Sequence, residues 1–315
     1  MKLIIQIPCL NEEESLSKTL QDLPRHIPGV DTIEILIIDD GSKDKTSEVA
    51  RRNGVQHIVR FTRQKGLARA FYAGLDASLK AGADIIVNTD ADGQYKGSDI
   101  PRLIQPILEG KADIVIGNRD IENVQQFSWM KKRLQRIGSW VVRQLTGSTI
   151  SDATTGFRAY SREAALKLNI ISDYTYTLES IIQAEDKDLA IANITISTNL
   201  VKRKSRLFKS IPQYLQKSMV TLVRVYSMFN PFRLFMCGGF LMLFISFLIG
   251  CRFLYCFLMG GGGGKVQSLI LAAALAIVGF QLIVVGLVAD LIAANRRLIE
   301  EILLRVRRME LHIKQ

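Results

Sequence analysis

The chain has 315 residues, of which 48% are hydrophobic and 23% charged, and it carries a net charge of +11. That length suits about two structural units of ~150 residues, one catalytic domain plus an appendage, and the charge calls for an acidic partner: nucleic acid, an anionic membrane face or a phosphorylated substrate. The four cysteines, Cys9, Cys237, Cys251 and Cys256, form no CxxC pair, which argues against a disulfide framework or a zinc site.

Met1 to Pro8 is too short an apolar run for a secretory signal and is followed at once by Asn11, Glu12, Glu13 and Glu14, so a buried strand is expected there. Strands over Leu3 to Ile7, Ile33 to Ile38, His57 to Phe61, Asp84 to Asn88 and Asp113 to Ile116 then alternate with helices. The helices are expected near Glu13 to Leu23, Lys45 to Asn53, Gly66 to Ala81 and Ser98 to Glu109. Short apolar strands alternating with helices imply an α/β fold with a mostly parallel, Rossmann-like sheet covered on both faces. Ligands of such sheets sit beyond the carboxyl ends of the strands.

Two membrane spans are expected near the end, Leu234 to Leu258 and Val266 to Ala289, each long enough to cross a hydrocarbon core of ~30 Å. Arg252 is the one charge in either span; its cost of ~2.5 to 3.5 kcal/mol is outweighed by fourteen Leu, Ile and Phe residues at roughly −0.3 to −0.6 kcal/mol each. Eight Lys and Arg (Lys217, Arg224, Arg233, Arg296, Arg297, Arg305, Arg307, Arg308) flank the pair, against Lys265 in the intervening loop. By the positive-inside rule the large domain and both termini face the cytoplasm, as a multi-pass protein of the plasma membrane. A membrane partner is therefore expected and no nucleic acid. The expected organisation is a catalytic domain over 1–209, juxtamembrane amphipathic helices over 210–232, the spans over 233–290 and a C-terminal amphipathic helix over 291–315. Ile292, Asn295, Ile299, Ile302, Val306, Met309 and Ile313 alternate spacings of three and four, a heptad seam that predicts a homo-oligomer. The other reading of this stretch is an amphipathic helix lying on the membrane or on its own catalytic domain.

The polar clusters fall at the predicted strand ends. Strand one runs into Pro8, Cys9, Leu10, Asn11 and Glu12, strand two into Asp39, Asp40, Gly41, Ser42, Lys43 and Asp44, and strand four into Asp90, Ala91, Asp92, Gly93 and Gln94. Carboxylates gathered in one crevice repel one another unless a cation compensates them, and a hard divalent ion bridging a diphosphate meets that need. An isolated DxD carries little weight, because any strand end followed by a turn can hold two aspartates.

The ordered conjunction is more specific: PxxNE, DDGSxD, DADGQ, GNR at Gly117 to Arg119 and DATTGFR at Asp152 to Arg158. Over about residues 1 to 210 the chain resembles family 2 glycosyltransferases of the GT-A fold. Within them it resembles the polyprenyl-phosphate branch that includes dolichol-phosphate mannose synthase and bacterial undecaprenyl-phosphate glucosyltransferases, and the two spans match the bacterial members. The resemblance implies that Pro8, Leu10, Asn11, Glu12, Asp39 or Asp40, Asp90 and Ala91 contact the nucleotide. Asp90, Asp92 and Gln94 would hold Mg2+ or Mn2+. Arg119 would reach the nucleotide diphosphate or the acceptor phosphate, and Asp152 with Arg158 would line the acceptor side. Relatives often carry Arg and then Gly-x-Ser-Lys before the juxtamembrane helices, whereas this chain reads Lys202, Arg203, Lys204, Ser205, Arg206, so Arg203 and Arg206 stand as acceptor-phosphate residues, against a reading as a solvated or headgroup-facing patch. Lys65 and Gly66 begin a helix whose amide end suits a phosphate or marks only a helix start.

The implied activity is inverting, metal-dependent transfer of a hexose from a nucleotide sugar, UDP-glucose preferred, to a polyprenyl phosphate such as undecaprenyl phosphate. GDP-mannose-dependent mannosyl transfer is the alternative. A phosphate monoester with a second pKa of ~6 is already a nucleophile at neutral pH, so no strong enzyme base is expected and Asp152 becomes a positioning residue. Other classes fit less well. Gly260 to Gly264 before Lys265 does not satisfy the phosphate-loop spacing. No Ser-His-Asp set is suggested, and His26, His57 and His312 are read as surface residues. A sugar nucleotidyltransferase would need a glycine-rich loop after strand one, and a processive polysaccharide synthase a QxxRW motif and more spans.

Overall fold

The computed structural model describes residues 1–119, 152–171, 176–199, 220, 226, 227, 229–259 and 266–313. The chain divides into two compact units, Met1–Val225 with Leu304–Gln315, and Tyr226–Leu303.

The first unit is built on β1 (Lys2–Cys9), α1 (Leu16–Asp22), β2 (Thr32–Asp39), α2 (Thr46–Arg52), β3 (His57–Arg60), α3 (Leu67–Lys80), β4 (Ile85–Asn88), α4 (Ile100–Leu108) and β5 (Ile114–Arg119). It continues with β6 (Arg158–Ser161), α5 (Arg162–Lys167), α6 (Tyr176–Asp186) and β7 (Ile191–Ile196). The seven strands form one sheet in the order β3-β2-β1-β4-β6-β5-β7. Strand β1 lies between β2 and β4, both parallel to it, and its Leu3, Ile4, Ile5 and Ile7 are wholly buried. An uninterrupted apolar run is what a parallel strand covered on both faces requires. The departure from an all-parallel sheet is β6, which runs antiparallel between β4 and β5. Arg158, the first residue of β6, pairs with Asn88 and Ile116, so the segment 152–157 feeding it lies at the same sheet edge as the carboxyl ends of the parallel strands.

Glu34 on β2 meets His57 on β3, with 2.6 Å between Oε2 and Nε2, so that histidine has the carboxylate partner the sequence did not suggest. Strand adjacency rather than sequence spacing brings the two together.

The second unit contains α7 (Pro231–Leu258) and most of α8 (Val266–Ile313). Both are long and apolar enough to cross a membrane, and only 6% and 17% of their apolar windows are buried, unlike core helices of a soluble fold. The two helices approach backbone to backbone: a Cβ added at Gly239 would sit 2.9 Å from the Gly279 carbonyl oxygen, and one at Gly279 would sit 3.0 Å from that of Gly239. Small residues permit this close crossing, and Ser246 Oγ donates to the Ala272 carbonyl at 2.6 Å to reinforce it. The expected separate C-terminal helix over 291–315 is instead a continuation of the second span. Between Ala289 and Leu298 there is neither Gly nor Pro to break it. Within the first unit, the last turns of α8 hold Arg307 against the end of α5. Its Nη1 donates to the Leu166 and Leu168 carbonyls at 3.1 and 3.3 Å, and Arg308 Nη2 reaches both oxygens of Glu163 at 2.7 and 2.9 Å. A cation at a helix C-terminus satisfies orphan carbonyls and suits the helix dipole. The juxtamembrane stretch 210–232 lies largely outside the described residues.

Candidate active site

The carboxyl ends of β1, β2, β4 and β5 and the start of β6 converge on one edge. After β1, Asn11 adopts a left-handed conformation, φ 54°. Its side-chain oxygen accepts from the Lys43 amide at 2.8 Å, while its own N–H donates to Ser42 Oγ at 2.9 Å. The Glu12 N–H donates to Thr46 Oγ1 at 2.8 Å, and the Glu12 carboxylate accepts from Ser15 Oγ at 2.6 Å. The loop carrying Pro8, Leu10, Asn11 and Glu12 is thereby fastened to the loop after β2.

Asp39 and Asp40 have separate duties. Asp39, fully buried, accepts from the Ser42 amide at 2.7 Å and from Ser47 Oγ, and lies 3.4 Å from Arg60 Nε. Asp40 accepts from the Lys65 and Gly66 amides at 2.6 and 2.9 Å. The amide end that the sequence offered to a phosphate is therefore occupied by Asp40, which is a correction: a carboxylate already satisfies those two N–H groups. Gly41 is required between these loops, because its φ is +73° and a Cβ there would lie 2.6 Å from the Arg63 carbonyl carbon. An open cleft of about 370 Å³ lies alongside, lined by Gly41, Ser42, Arg60, Phe61 and Thr62. Of its lining, only the DDGS motif was singled out in the sequence; the Arg-Phe-Thr at the end of β3 carried no pattern.

After β4, Asp92 Oδ1 accepts from the Gln94 amide at 2.9 Å, and the Ala91 carbonyl accepts from Thr19 Oγ1 at 3.0 Å, fixing the loop on α1. The Gln94 carbonyl accepts from the Asn199 amide at 2.8 Å, which ties the loop to the chain beyond β7. Burial, with Asp92 and then Glu12 nearby, pushes Asp90 up to about 7, against a smaller opposing pull from Arg119. Two neighbouring oxygen-donor carboxylates, one of them raised by burial beside the other, are the donor chemistry a hard divalent ion requires. Among the described residues no three His, Cys, Asp or Glu side chains converge as a closed metal cage.

Arg119, at the end of β5, crosses to Asp152 as a fork, Nε to Oδ2 at 2.7 Å and Nη2 to Oδ1 at 3.2 Å, with Nη2 also donating to Thr154 Oγ1 at 2.9 Å. Burial by itself would raise the Asp152 pKa, but the Arg119 charge and the hydrogen bonds from Arg119 and Thr154 outweigh it and hold the carboxyl below the usual range. Asp152 therefore pairs with Arg119 and not with Arg158. Arg158 itself is a correction to the expected acceptor-side role. It is wholly buried, and its guanidinium donates to the carbonyls of Ala153, Thr155 and Thr177 and to Ser180 Oγ at 2.8 to 2.9 Å. Donors spent on main-chain carbonyls in the core fix the 152–157 loop and α6 and do not reach a substrate.

Beneath Asp90 lies a polar chain that no motif announced. Gln6 Nε2 donates to Asn88 Oδ1 at 3.0 Å, and Asn88 Nδ2 donates to the Gly156 carbonyl and to Tyr176 Oη, both at 2.8 Å. Tyr176 stacks on Phe71 with ring centroids 3.8 Å apart. Burial pushes the Tyr95 hydroxyl up to about 12 and the Cys9 thiol well above its usual value, so neither ionises near neutral pH. Arg203 and Arg206 lie outside the described residues.

Comparison with known proteins bears on this site. Residues 4–168 match the model for glycosyl transferase family 2. The chain is 33% identical over 184 residues to undecaprenyl-phosphate mannosyltransferase of Micrococcus luteus, covering 56% of this chain and 74% of that one. It is 30% identical over 217 residues to UDP-N-acetylglucosamine–dolichyl-phosphate N-acetylglucosaminyltransferase of Methanococcus voltae, covering 61% and 83%. Among solved structures, glucosyl-3-phosphoglycerate synthase of Mycobacterium tuberculosis, in complex with Mn2+, UDP-glucose and phosphoglyceric acid, superposes with a TM-score of 0.57 at 21% identity, over 72% of this chain and 80% of that one.

Proposed function

The chain belongs to glycosyl transferase family 2 and is a glycosyltransferase, and from that premise we propose that it transfers a hexose from a nucleotide sugar to a polyprenyl phosphate, at the cytoplasmic face of the membrane that α7 and α8 cross. The observation that carries the reading is the opposition, at one sheet edge, of the Asp90–Asp92 pair and the Arg119 fork held by Asp152. An anionic acceptor must approach an anionic donor, so charge compensation is the main task of such a site. Two relatives whose names specify lipid phosphate acceptors, and two apolar helices exposed along their length, support the acceptor class.

In this reading the cleft beside Gly41, Ser42 and Phe61 takes the nucleoside, and the Asn11–Glu12 loop closes over it. Asp90 and Asp92, with Gln94, would hold Mg2+ or Mn2+, which would supply positive charge beside the nucleotide diphosphate. Arg119 presents its guanidinium to the phosphate on the acceptor side. An acceptor phosphate oxygen attacks the anomeric carbon, and the bond from that carbon to the nucleoside diphosphate breaks, the leaving group taking the electron pair. The configuration inverts, and the dianionic phosphate becomes a singly charged diester. No proton has to be removed from the nucleophile, which fits an Asp152 that is buried, ion-paired and a poor base.

The names of the relatives divide the candidate sugars: the mannosyl reading is favoured by the Micrococcus luteus relative and the UDP-sugar reading by the Methanococcus voltae one. Membranes containing the chain, incubated with labelled UDP-glucose, UDP-N-acetylglucosamine or GDP-mannose and extracted with organic solvent, test the proposal. Label in the lipid fraction that depends on added polyprenyl phosphate supports it. Label in water-soluble product alone refutes it.

A further inference from the structure

We propose that Asn199, which no motif marks, is a positioning residue for the carboxylate of Asp92; the inference rests on the reading of Asp92 as a metal ligand. Asn199 lies just past the end of β7, 106 residues along the chain from Gly93. Its side-chain Nδ2 donates to the Gly93 carbonyl at 3.1 Å, and its main-chain N–H donates to the Gln94 carbonyl at 2.8 Å. Only the nitrogen end of the side-chain amide can face a carbonyl in this way.

The consequence for Asp92 follows from peptide geometry. The peptide group joining Gly93 to Gln94 is planar and trans, so its C=O and its N–H point in opposite directions. The C=O is the one that Asn199 holds, and the N–H is the one that donates to Asp92 Oδ1 at 2.9 Å. Fixing the plane at its carbonyl end therefore fixes the direction from which the carboxylate is held. The turn does not supply that restraint by itself. Gly93 sits at φ +69°, and a Cβ built on it would meet nothing closer than Thr19 Oγ1 at 3.7 Å, so no side chain and no crowding sets the plane.

The segment that carries Asn199 is itself anchored. The Ser197 amide donates to Asp99 Oδ2 at 2.8 Å, and Thr198 forms an antiparallel bridge with Tyr95. Tyr95 is buried and stacks on Phe157 with ring centroids 5.0 Å apart, and its Oη accepts from Thr155 Oγ1 and from the Gly156 amide, each at 3.3 Å. The turn is thus gripped both by the chain beyond β7 and by the 152–157 loop. Partners that orient a metal ligand in this way change metal affinity about 10- to 100-fold when they are removed. Asn199 is exposed, so truncating its side chain leaves the core intact and separates its effect on the metal from any effect on the fold.

The test uses the full chain in detergent with Mn2+ as the probe, followed by the loss of the free-ion signal in electron paramagnetic resonance; the binding lost in Asp92→Asn defines the share that belongs to this site. Asn199→Ala should weaken that share by about tenfold or more, while the melting temperature of the metal-free protein stays that of the parent. Asn199→Asp should weaken it too, although an added carboxylate by itself attracts a cation. In metal-free protein, hydrogen exchange over residues 90–96 should be severalfold faster in both variants. Parent-like Mn2+ affinity in Asn199→Ala, tighter binding in Asn199→Asp, unchanged exchange, or a loss that comes with a lower metal-free melting temperature would overturn the positioning role and leave the metal site standing. No Mn2+ binding by the unmodified chain would overturn both the role and the reading it rests on.

Discussion

Replacing Asp152 with Asn separates two roles that a carboxylate in this place can have. Asp152 is wholly buried and Arg119 is 8% exposed. Removing the charge leaves a buried guanidinium without its counter-ion, a change that costs about 3 to 5 kcal/mol in buried pairs. The amide oxygen still accepts from Arg119 Nε, and Thr154 Oγ1 still accepts from Nη2, so the lower end, about 3 kcal/mol, is expected. For a domain of this size that lowers the melting temperature by roughly 6 to 12 °C, measurable by thermal scanning in detergent. The sign of the pH dependence follows from the direction of the shift. The folded-state pKa of Asp152 lies below its unfolded value, so its stabilisation is present above the unfolded pKa of about 3.9 and is lost as pH falls through the folded pKa. Across pH 5 to 8 Asp152 does not titrate, so with saturating metal, which keeps Asp90 ionised, the activity of the unmodified chain should follow the acceptor phosphate, with its second pKa of about 6. An Asp152→Asn protein of unchanged stability that binds donor and lipid but does not turn over, beside a wild-type profile with an ionisation absent from free lipid phosphate, would refute the positioning role and make Asp152 a base.

Three further outcomes are expected. Asp92→Asn should abolish metal-dependent nucleotide binding by calorimetry while the circular dichroism and melting curve stay those of the parent; binding that survives, or persists in excess chelator, sinks the metal site. Asp90 has its pKa raised from 3.8 to about 7, so its contribution to stability is present below the unfolded pKa and is lost as pH rises through 7, by up to roughly 4 kcal/mol. Metal-free protein should lose stability over that window, and Mn2+ or the substitution Asp90→Asn should flatten the slope. Gly156→Ala places a Cβ 2.9 Å from Tyr176 Oη and 3.0 Å from Asp90 Oδ1. Because Tyr176 is pinned against Phe71, the cost should be about 1 to 3 kcal/mol together with weakened metal affinity, and a variant with unchanged Mn2+ affinity would count against Asp90 as a ligand.

The parallel half of the sheet was legible because strands buried on both faces must be apolar throughout. The expected Ile33 to Ile38 and the observed Thr32–Asp39 differ by one residue at each end. Strand β6 left no such trace: Arg158–Ser161 reads Arg-Ala-Tyr-Ser, and its buried arginine is satisfied by carbonyls that only the folded loop supplies. The DATTGFR motif marked the segment but not what its aspartate would pair with, because Asp152 meets an arginine 33 residues upstream through an adjacent strand end. Sequence also cannot divide two neighbouring carboxylates between tasks. Asp39 turns to the helix of Thr46–Arg52 and Asp40 to the helix of Leu67–Lys80, since consecutive residues of an extended chain face opposite ways.

The contact between Gly239 and Gly279 also limits how a lipid-linked product can move. With main-chain atoms of the two helices touching at that level, the pair encloses no lumen, and a hydrated sugar has no conduit between them. A glycolipid formed by this chain would leave sideways, diffusing in the leaflet where it was made.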